Sequence, residues 1–440
     1  MSLDRRLVPN WLGAYLDLTS DLEAKESLHL WTGFTVLASA LRRKIYLDME
    51  HGRVFPNLYV IIVAESAKAR KSAAMDYGRN LLIDALPEIR IMRDSMTSQG
   101  LIKALNHKVQ VVHDGKIREE LRSDVSIFAD EVANLFSYEK TRAAQMVIFL
   151  TRTYTCPAIY DHTTVRDSLV RLYNLYPVLL GGTDPRNLKV LPEEAVGGLT
   201  GRLIWVIATD RRANNSGWRK DRRKSLAKEL LREYLIHDLQ RISHLQGEMQ
   251  VTDIAQEMYD EWYNELSTKN TKDPATDAFY HRCHTTALQI AMLMSISERD
   301  DLVVTPTHIR GAIALVEEQL PEVKRVSMWS GGSLYEQHRA KLLHYMQNQG
   351  GLALRRPLLK YMGMQAEDFE KLLTTLVQDG SIEPQAIMLR QDKVYKLTKD
   401  GYGKAIPLEK TVSFVEKDEV KVAGLDKALA DSQAATTGET

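Results

Sequence analysis

The sequence has few cysteines, no excess of charge of either sign and no long apolar run. Two cysteines, Cys156 and Cys283, are too few for a disulfide framework or a cysteine-based zinc site. The 58 basic and 58 acidic residues cancel, so only local clusters could attract nucleic acid. No stretch approaches the roughly 20 apolar residues of a membrane-spanning helix, and residues 1–15 lack the apolar run of a signal peptide. These absences predict a cytoplasmic protein with no membrane contact.

The length and composition allow more than one domain. A chain of 440 residues, 44% of them hydrophobic, can build two or three domains with cores of their own. Periodicity and polarity predict a helical platform, a core of strands and helices, a helical subdomain, a small C-terminal domain and a disordered polar tail. The predicted bounds of these segments are residues 1–50, 51–210, 211–325, 334–405 and 406–440.

Glycine is missing from a loop that otherwise has the features of a phosphate-binding loop. An apolar strand from Tyr59 is followed by small residues and then by Lys71 and Ser72, which open a predicted helix. A strand, a tight loop and a helix N-terminus form a phosphate cradle. Lys71 would neutralise the β- and γ-phosphates, and Ser72 would hold Mg²⁺. The residues expected at the nucleotide are Ser66, Ala67, Lys68, Ala69, Arg70, Lys71 and Ser72.

The match to the pattern G-x-x-x-x-G-K-[ST] is incomplete. Its two glycine positions fall on Glu65 and Arg70, and the small residues nearby are alanines, which resist positive φ angles. On spacing alone, an ordinary strand–loop–helix with a surface lysine therefore remains an alternative.

Acidic and polar residues end two later strands. An apolar strand from Val125 ends in Asp130 and Glu131, where Asp130 would hold the water shell of Mg²⁺ and Glu131 would orient the attacking water. Such a pair is common by chance, but here it follows the Lys-Ser loop in the expected order. A further buried strand, residues 176–180, leads into Gly181-Gly182-Thr183-Asp184-Pro185, where a polar residue could contact the γ-phosphate.

Other features allow a structural and a functional interpretation. Residues 108–118 and 157–176 are predicted hairpins, the second with Arg166 at its tip, and the first either decorates the surface or acts as a pore loop. Arg202, just before a core strand, is in isolation more typical of a structural or solvated residue. The basic residues 210–224 form either a solvated loop or a contact with nucleic-acid phosphates.

The C-terminal pattern predicts a winged helix. Helices at 334–349, 355–361 and 365–378 precede a hairpin at about 386–397. The third helix and the wing are the usual nucleic-acid face, and Lys371, Arg390 and Lys393 are the basic candidates there. Glu367, Asp368 and Glu370 weaken this face, so a protein-contact module is the alternative.

In this order the elements resemble the AAA+ ATPase core of minichromosome-maintenance-type helicases, and more closely prophage and plasmid primase-helicase-like proteins. In members of that second family the loop resembles V-G-x-[TS]-[AS]-K-G-R-K-[GS]; here residues 63–72 are VAESAKARKS, with alanine for both glycines. Leu30-Trp31 and the segment Pro56-Asn57-Leu58-Tyr59 also look like that family. The resemblance covers roughly residues 8–320.

The resemblance implies an α/β fold: an AAA+ P-loop ATPase core with a helical N-terminal platform, a helical lid and a C-terminal winged helix. Matched by position, Lys71 and Ser72 form the Walker A pair, and Asp130 and Glu131 form Walker B. Thr183 stands where the helicases have a sensor asparagine. The remaining matches are Arg202 as the arginine finger, Arg282 as the lid arginine of the second sensor, and Arg166 and Arg171 in a DNA-gripping pore hairpin.

The function implied is that of a ring-forming, ATP-hydrolysing motor, helicase-like, that acts on single- or double-stranded DNA. ATP and Mg²⁺ would be its cofactors, and its partners would be DNA, five copies of itself in a homohexamer and other replication proteins of a phage or mobile element. Its place would be the cytoplasm of a bacterial or phage-infected cell. The alternatives are a degenerate P-loop protein that binds DNA through the winged helix, as an initiator, loader or scaffold, and an ATP-driven switch that never unwinds DNA.

Overall fold

Two buried helices and a short hairpin precede the central sheet. The computed structural model describes residues 5–65, 67–93, 98–113, 116–136, 140–162, 170–190, 198–213, 222–268, 274–330, 334–389 and 392–398. α1 (Trp11–Thr19) begins where the Asn10 side chain accepts a hydrogen bond from Gly13 N. α2 (Glu26–Leu41) is buried along almost its whole length, and β1 (Ile45–Met49) pairs with β2 (Gly52–Val54).

The chain divides into two compact units, residues 1–331 and 332–440. The other labelled elements of the first unit are, in chain order, β3 (Tyr59–Ala64), α3 (Lys71–Ala85), β4 (Ile91–Met92), α4 (Ser98–Leu105), β5 (His107–His113), β6 (Lys116–Ala129), α5 (Lys140–Thr153), β7 (Ile159–His162), β8 (Val170–Tyr173), β9 (Leu175–Thr183), β10 (Ile204–Ala208), α6 (Arg222–His244), β11 (Gly247–Glu248), β12 (Gln250–Val251), α7 (Asp253–Ser267), α8 (Pro274–Tyr280), α9 (Cys283–Glu298), β13 (Val303–Val304), α10 (Pro306–Glu317) and α11 (Gln319–Ser330).

Five parallel strands of the described chain form a sheet in the order β10-β3-β9-β6-β4. β3 and β9 are buried at every residue, as expected for strands covered on both faces. After β3 the chain crosses the sheet to β4 at one edge. After β9 it crosses in the opposite direction, to β10 at the other edge. β3 and β9 therefore flank a topological switch point, where open parallel sheets bind ligands outside the carboxyl ends of their strands. The α/β class predicted from the sequence is confirmed.

A single long strand replaces two predicted ones. β6 runs from Lys116 to Ala129; its first part pairs antiparallel with β5, and its second part pairs parallel with β9. The second strand of the predicted hairpin at 108–118 and the predicted acidic-ended strand are thus one continuous element. β7 and β8 form the second hairpin, and its tip, with Arg166, lies outside the described residues.

The predicted helical subdomain contains breaks that the sequence did not indicate. Within it, the apolar periodicity predicts one helix over roughly 276–297. The structure has two helices there, α8 and α9, separated at Arg282, whose φ of −128° is not helical. Thr305 followed by Pro306 is a helix start signal, with threonine at the cap and proline in the first turn. This prediction is confirmed, since α10 begins at Pro306 and Thr305 N donates to His308 Nδ1 at 3.1 Å. Every helix among the described residues is too short or too polar to span a bilayer.

The described part of the second unit has three helices and a three-stranded sheet. The helices and the hairpin lie close to their predicted bounds, and the sequence missed only the short strand that pairs with the hairpin. A core that includes Leu342, Leu358 and Phe369 holds these elements together. The elements are α12 (Leu334–Asn348), β14 (Leu352–Leu354), α13 (Arg355–Met362), α14 (Ala366–Gln378), β15 (Ile382–Leu389) and β16 (Asp392–Leu397).

Candidate functional site

The loop between β3 and α3 adopts glycine-like backbone angles without glycine. Ala67 has a φ of +65° and Arg70 a φ of +58°, both in the left-handed region. Arg70 occupies the second glycine position of the phosphate-loop pattern and is the N-cap residue of α3. Left-handed angles cost L-residues about 1 kcal/mol or more, and such strain clusters at functional sites. Ser66 lies outside the described residues.

The rest of the loop is held by side chains on both sides. Lys68 is exposed and paired with Glu65, whereas Ala69 is fully buried. Arg70 Nε donates to Glu23 Oε2 at 2.6 Å, and Arg211, just after β10, donates to the other oxygen of Glu23 at 3.1 Å. Glu23 therefore ties the loop and the end of β10 to the segment between α1 and α2.

The Lys71 side chain is buried and passes beside Gly182. Only 9% of Lys71 is exposed. A Cβ atom at Gly182 would lie 3.3 Å from both Lys71 Cδ and Cε and 2.8 Å from the backbone oxygen of Asp130. The bare backbone at position 182 therefore leaves the space that the lysine stem needs. The sequence contained this glycine but gave no sign of its role.

Three carboxylates surround the Lys71 ammonium group. Burial lowers the pKa of Lys71, and Glu131, Asp184 and Asp130 each counteract that shift. Lys71 Nζ lies 3.9 Å from Glu131 Oε2. Asp184, which the sequence did not single out, is buried and accepts from Arg186 Nε and Nη2, both at 2.8 Å. Lys71, which follows the loop after β3, thus meets acidic groups that follow β6 and β9 at one edge of the sheet.

Glu131 is held by a threonine from the neighbouring strand end. Thr183 Oγ1 donates to Glu131 Oε1 at 2.7 Å, and the same carboxylate oxygen accepts from Ala133 N at 3.4 Å. The phosphate contact suggested by the sequence for this strand end stays a prediction; the Thr183 hydroxyl itself donates to the glutamate. The Glu131 carboxylate is therefore fixed at the carboxyl edge, beside Lys71.

The oxygen groups near Lys71 suit Mg²⁺ bound together with a nucleotide. Ser72 lies exposed in the first turn of α3, and Asp130 directly follows β6. Within the described residues, no three His, Cys, Asp or Glu side chains form a metal cluster. Mg²⁺ in nucleotide sites takes only one or two protein carboxylates and completes its shell with phosphates and water. A hydroxyl and a carboxylate at this edge fit that requirement.

Arg202 and Arg282 lie together near the amino end of β10, away from the carboxyl ends of the strands where Lys71 lies. Arg202 directly precedes Leu203 and β10, so it lies at the amino end of that strand. The carboxyl end of β10 lies beside that of β3, where Ala208 pairs with Ala64. The five residues of β10 span roughly 16 Å. A Cβ at Gly201 would lie 3.2 Å from Arg282 Cδ, and burial, followed by the charge of Arg282, lowers the pKa of Arg202. The structure therefore brings these two arginines together but not to Lys71 of their own chain.

The predicted nucleic-acid residues belong to both units, and two of them pair with carboxylates. Arg171 on β8 is exposed and donates to both oxygens of Asp161, at 2.7 and 2.9 Å. Lys371 on α14 is exposed and lies 3.0 Å from Glu367, and Lys393 is exposed on β16. Arg166 and Arg390 lie outside the described residues.

Comparison with known proteins adds no family. Neither a scan against protein-family models nor a search of curated proteins finds a match to this chain. The candidate site therefore stands on the geometry of Lys71, Asp130, Glu131 and Thr183.

Proposed function

We propose that the first unit binds and hydrolyses ATP with Mg²⁺ at the carboxyl edge of its parallel sheet. The observation that carries this proposal is the convergence of Lys71 with Glu131, at 3.9 Å, beside the switch point between β3 and β9. Lys71 and Ser72 open α3, and a helix N-terminus favours phosphate. The strained angles of Ala67 and Arg70 support nucleotide binding in particular, because such strain is retained where function requires it.

Each side chain has a role in the reaction. Water attacks the γ-phosphorus, the bond to the β–γ bridging oxygen breaks, and ADP and phosphate leave. Glu131 orients the water and accepts its proton, and Thr183 keeps the carboxylate in place. Lys71 offsets the phosphate charge. Ser72 and Asp130 would hold Mg²⁺, which supplies further charge neutralisation when bound.

The placement of Arg202 and Arg282 supports action between subunits. Both arginines lie at the amino end of β10, whereas Lys71 lies at the carboxyl edge of the same sheet. A phosphate that they contact would therefore belong to another copy. An arginine supplied in trans raises phosphoryl-transfer rates by about 10³ to 10⁵. Head-to-tail contacts of this kind form a ring when the rotation between successive copies closes. We therefore propose a homohexamer with an AAA+ core at 51–210 and a helical lid at 211–325.

We further propose that the ring is a helicase-like motor on DNA, in the replication of a phage or mobile element in a bacterial cell. Two hairpins support a DNA path: β5 with β6, and β7 with β8 just before β9. The three helices and hairpin of the second unit support a winged helix at 334–405. Other replication proteins would be its partners.

In a second candidate function, the protein binds the nucleotide but does not hydrolyse it. The two left-handed residues without glycine, Ala67 and Arg70, favour it, since a strained loop can bind phosphate yet position it poorly. The protein would then be an initiator, loader or scaffold that acts through its second unit.

Binding of ATP to the Lys71→Ala variant tests the site. We expect binding to be lost, because the phosphates lose their buried counter-charge, and titration calorimetry with MgATP measures it. Lys324→Ala, which removes an exposed lysine on α11, is the matched control and should bind like the wild type. Unchanged ATP affinity in Lys71→Ala would contradict the proposed nucleotide site.

A further inference from the structure

A cavity of about 370 Å³ lies next to the phosphate loop. One wall comes from the α1–α2 segment and α2, with Leu22 and His29, and the other comes from α3, with Ala73 and Tyr77. Arg70 of the loop lies at its border. The volume is in the range of small-molecule sites, which are mostly apolar with a few placed polar groups. A group bound here would adjoin phosphates held by Lys71 and Ser72.

His29 is a buried polar side chain in the lining of this cavity. It is 1% exposed, and neither of its ring nitrogens has a hydrogen-bond partner among the residues that the structure describes. Buried polar side chains are nearly always paired, so an unpaired one demands an explanation. Burial, with a smaller effect of Arg212, lowers the pKa of His29 to about 4. The ring is therefore neutral and offers one donor and one acceptor.

Aromatic rings from the two walls meet beside this cavity. The rings of His29 and Tyr77 meet edge to face, with centroids 6.5 Å apart, and Tyr15 packs against both. Tyr77 is half-buried and lines the cavity. An aromatic face favours stacking with a planar heterocycle, and the edge of a nucleobase carries the donors and acceptors that could satisfy His29.

We propose that this cavity binds the nucleobase of the nucleotide, with His29 hydrogen-bonded to the base edge and Tyr77 against its face. The assignment rests on the proposed function, since the phosphates must occupy the neighbouring loop. It makes His29 a specificity-determining residue. It also gives the N-terminal helices a part in substrate recognition beyond packing against the sheet.

The test compares MgATP with tripolyphosphate, which has the phosphates and no base, in calorimetric titrations of the full chain. In the wild type, ATP should bind more tightly than tripolyphosphate. His29→Leu should weaken ATP binding roughly tenfold, the usual effect of losing a buried hydrogen bond, and leave tripolyphosphate unchanged. His29→Gln, which keeps a donor and an acceptor, should restore part of the loss, whereas a purely structural role would show no such rescue.

A third variant covers the case in which both His29 variants fail to fold. Ala73 is exposed in the first turn of α3 and lines the cavity, so Ala73→Leu fills the space without touching His29. It too should weaken ATP and spare tripolyphosphate. Equal wild-type affinity for the two ligands, or ATP binding that none of the variants changes, overturns the base assignment alone. Failure of the wild type to bind either ligand overturns the proposed function and this assignment together.

Discussion

At the scale of single residues, the hydrogen bond from Thr183 to Glu131 gives a sharp prediction. Thr183→Val keeps the shape of the side chain and removes the hydroxyl. Glu131 would then rotate away from the water, and we expect kcat for ATP hydrolysis to fall about tenfold while KM stays the same, since a hydrogen bond to a charged group is worth about 1.5–3 kcal/mol. Steady-state kinetics of Thr183→Val and of the wild type measure kcat and KM separately.

Thr183→Ser is the matched control for that experiment. It retains the hydroxyl that donates to Glu131 and should keep most of the wild-type kcat. A normal kcat in Thr183→Val, or a rise in KM with kcat unchanged, would show that Thr183 does not position the glutamate.

The sequence was sufficient to identify functional candidates whose residue type and local position both fit a known motif. Lys71 and Ser72 at a helix start, and Asp130 and Glu131 at a strand end, were visible because type and place coincide in a short stretch. Asp184 and His29 were not visible. Asp184 interacts with Lys71, which comes from a different part of the chain. His29 lies in an otherwise apolar helix, and no local pattern distinguishes it from a residue of the core.

At the scale of elements, the two adjacent glycines of β9 allow a matched comparison. Successive strand residues face opposite sides of a sheet. Gly182→Ala would place its Cβ 2.8 Å from the Asp130 backbone oxygen and against the Lys71 stem. We expect ATP affinity to fall by about tenfold or more, since Lys71 is displaced and close packing tolerates little overlap.

Gly181→Ala is the control on the other face of β9. Its Cβ would approach the side chains of Ile61, at 2.9 Å, and Val132, at 3.0 Å, and not Lys71. It should lower the denaturation midpoint and leave the ATP affinity of the folded protein unchanged. Equal ATP binding by both variants would contradict the role given to Gly182.

Element boundaries were predicted where local signals exist and missed where tertiary pairing decides. The start of α10 followed from Thr305 and Pro306. The continuity of β6 did not follow from the sequence, because its charged first part pairs only with β5 and lacks the apolar pattern of a covered strand. The left-handed angles of Ala67 and Arg70 run against residue preference and could not be predicted from it.

At the scale of the whole molecule, Arg202 is predicted to act on a neighbouring subunit. Arg202→Ala should bind ATP normally and lose hydrolysis. Mixing it with Lys71→Ala subunits should restore part of the activity, because an intact Arg202 then faces an intact Lys71 site. Absence of any rescue across mixing ratios would argue against action in trans.

The order of elements along the chain was predictable, but the order of strands in the sheet was not. Alternating apolar strands and helices are enough to indicate an α/β fold. The order β10-β3-β9-β6-β4 depends on pairings such as that of β3 with β9, which are far apart in sequence and have no local signal. That order is what brings Lys71, Glu131 and Thr183 to one edge.

The most direct measurement is steady-state ATP hydrolysis by the purified protein and by Glu131→Gln, each with and without single-stranded DNA. The proposed mechanism predicts Mg²⁺-dependent turnover that DNA stimulates in the wild type, and a variant that still binds ATP but no longer hydrolyses it. Undiminished turnover in Glu131→Gln, or a wild type that binds ATP and never turns it over, would contradict the ATPase assignment. The second of these results would favour the nucleotide-binding scaffold.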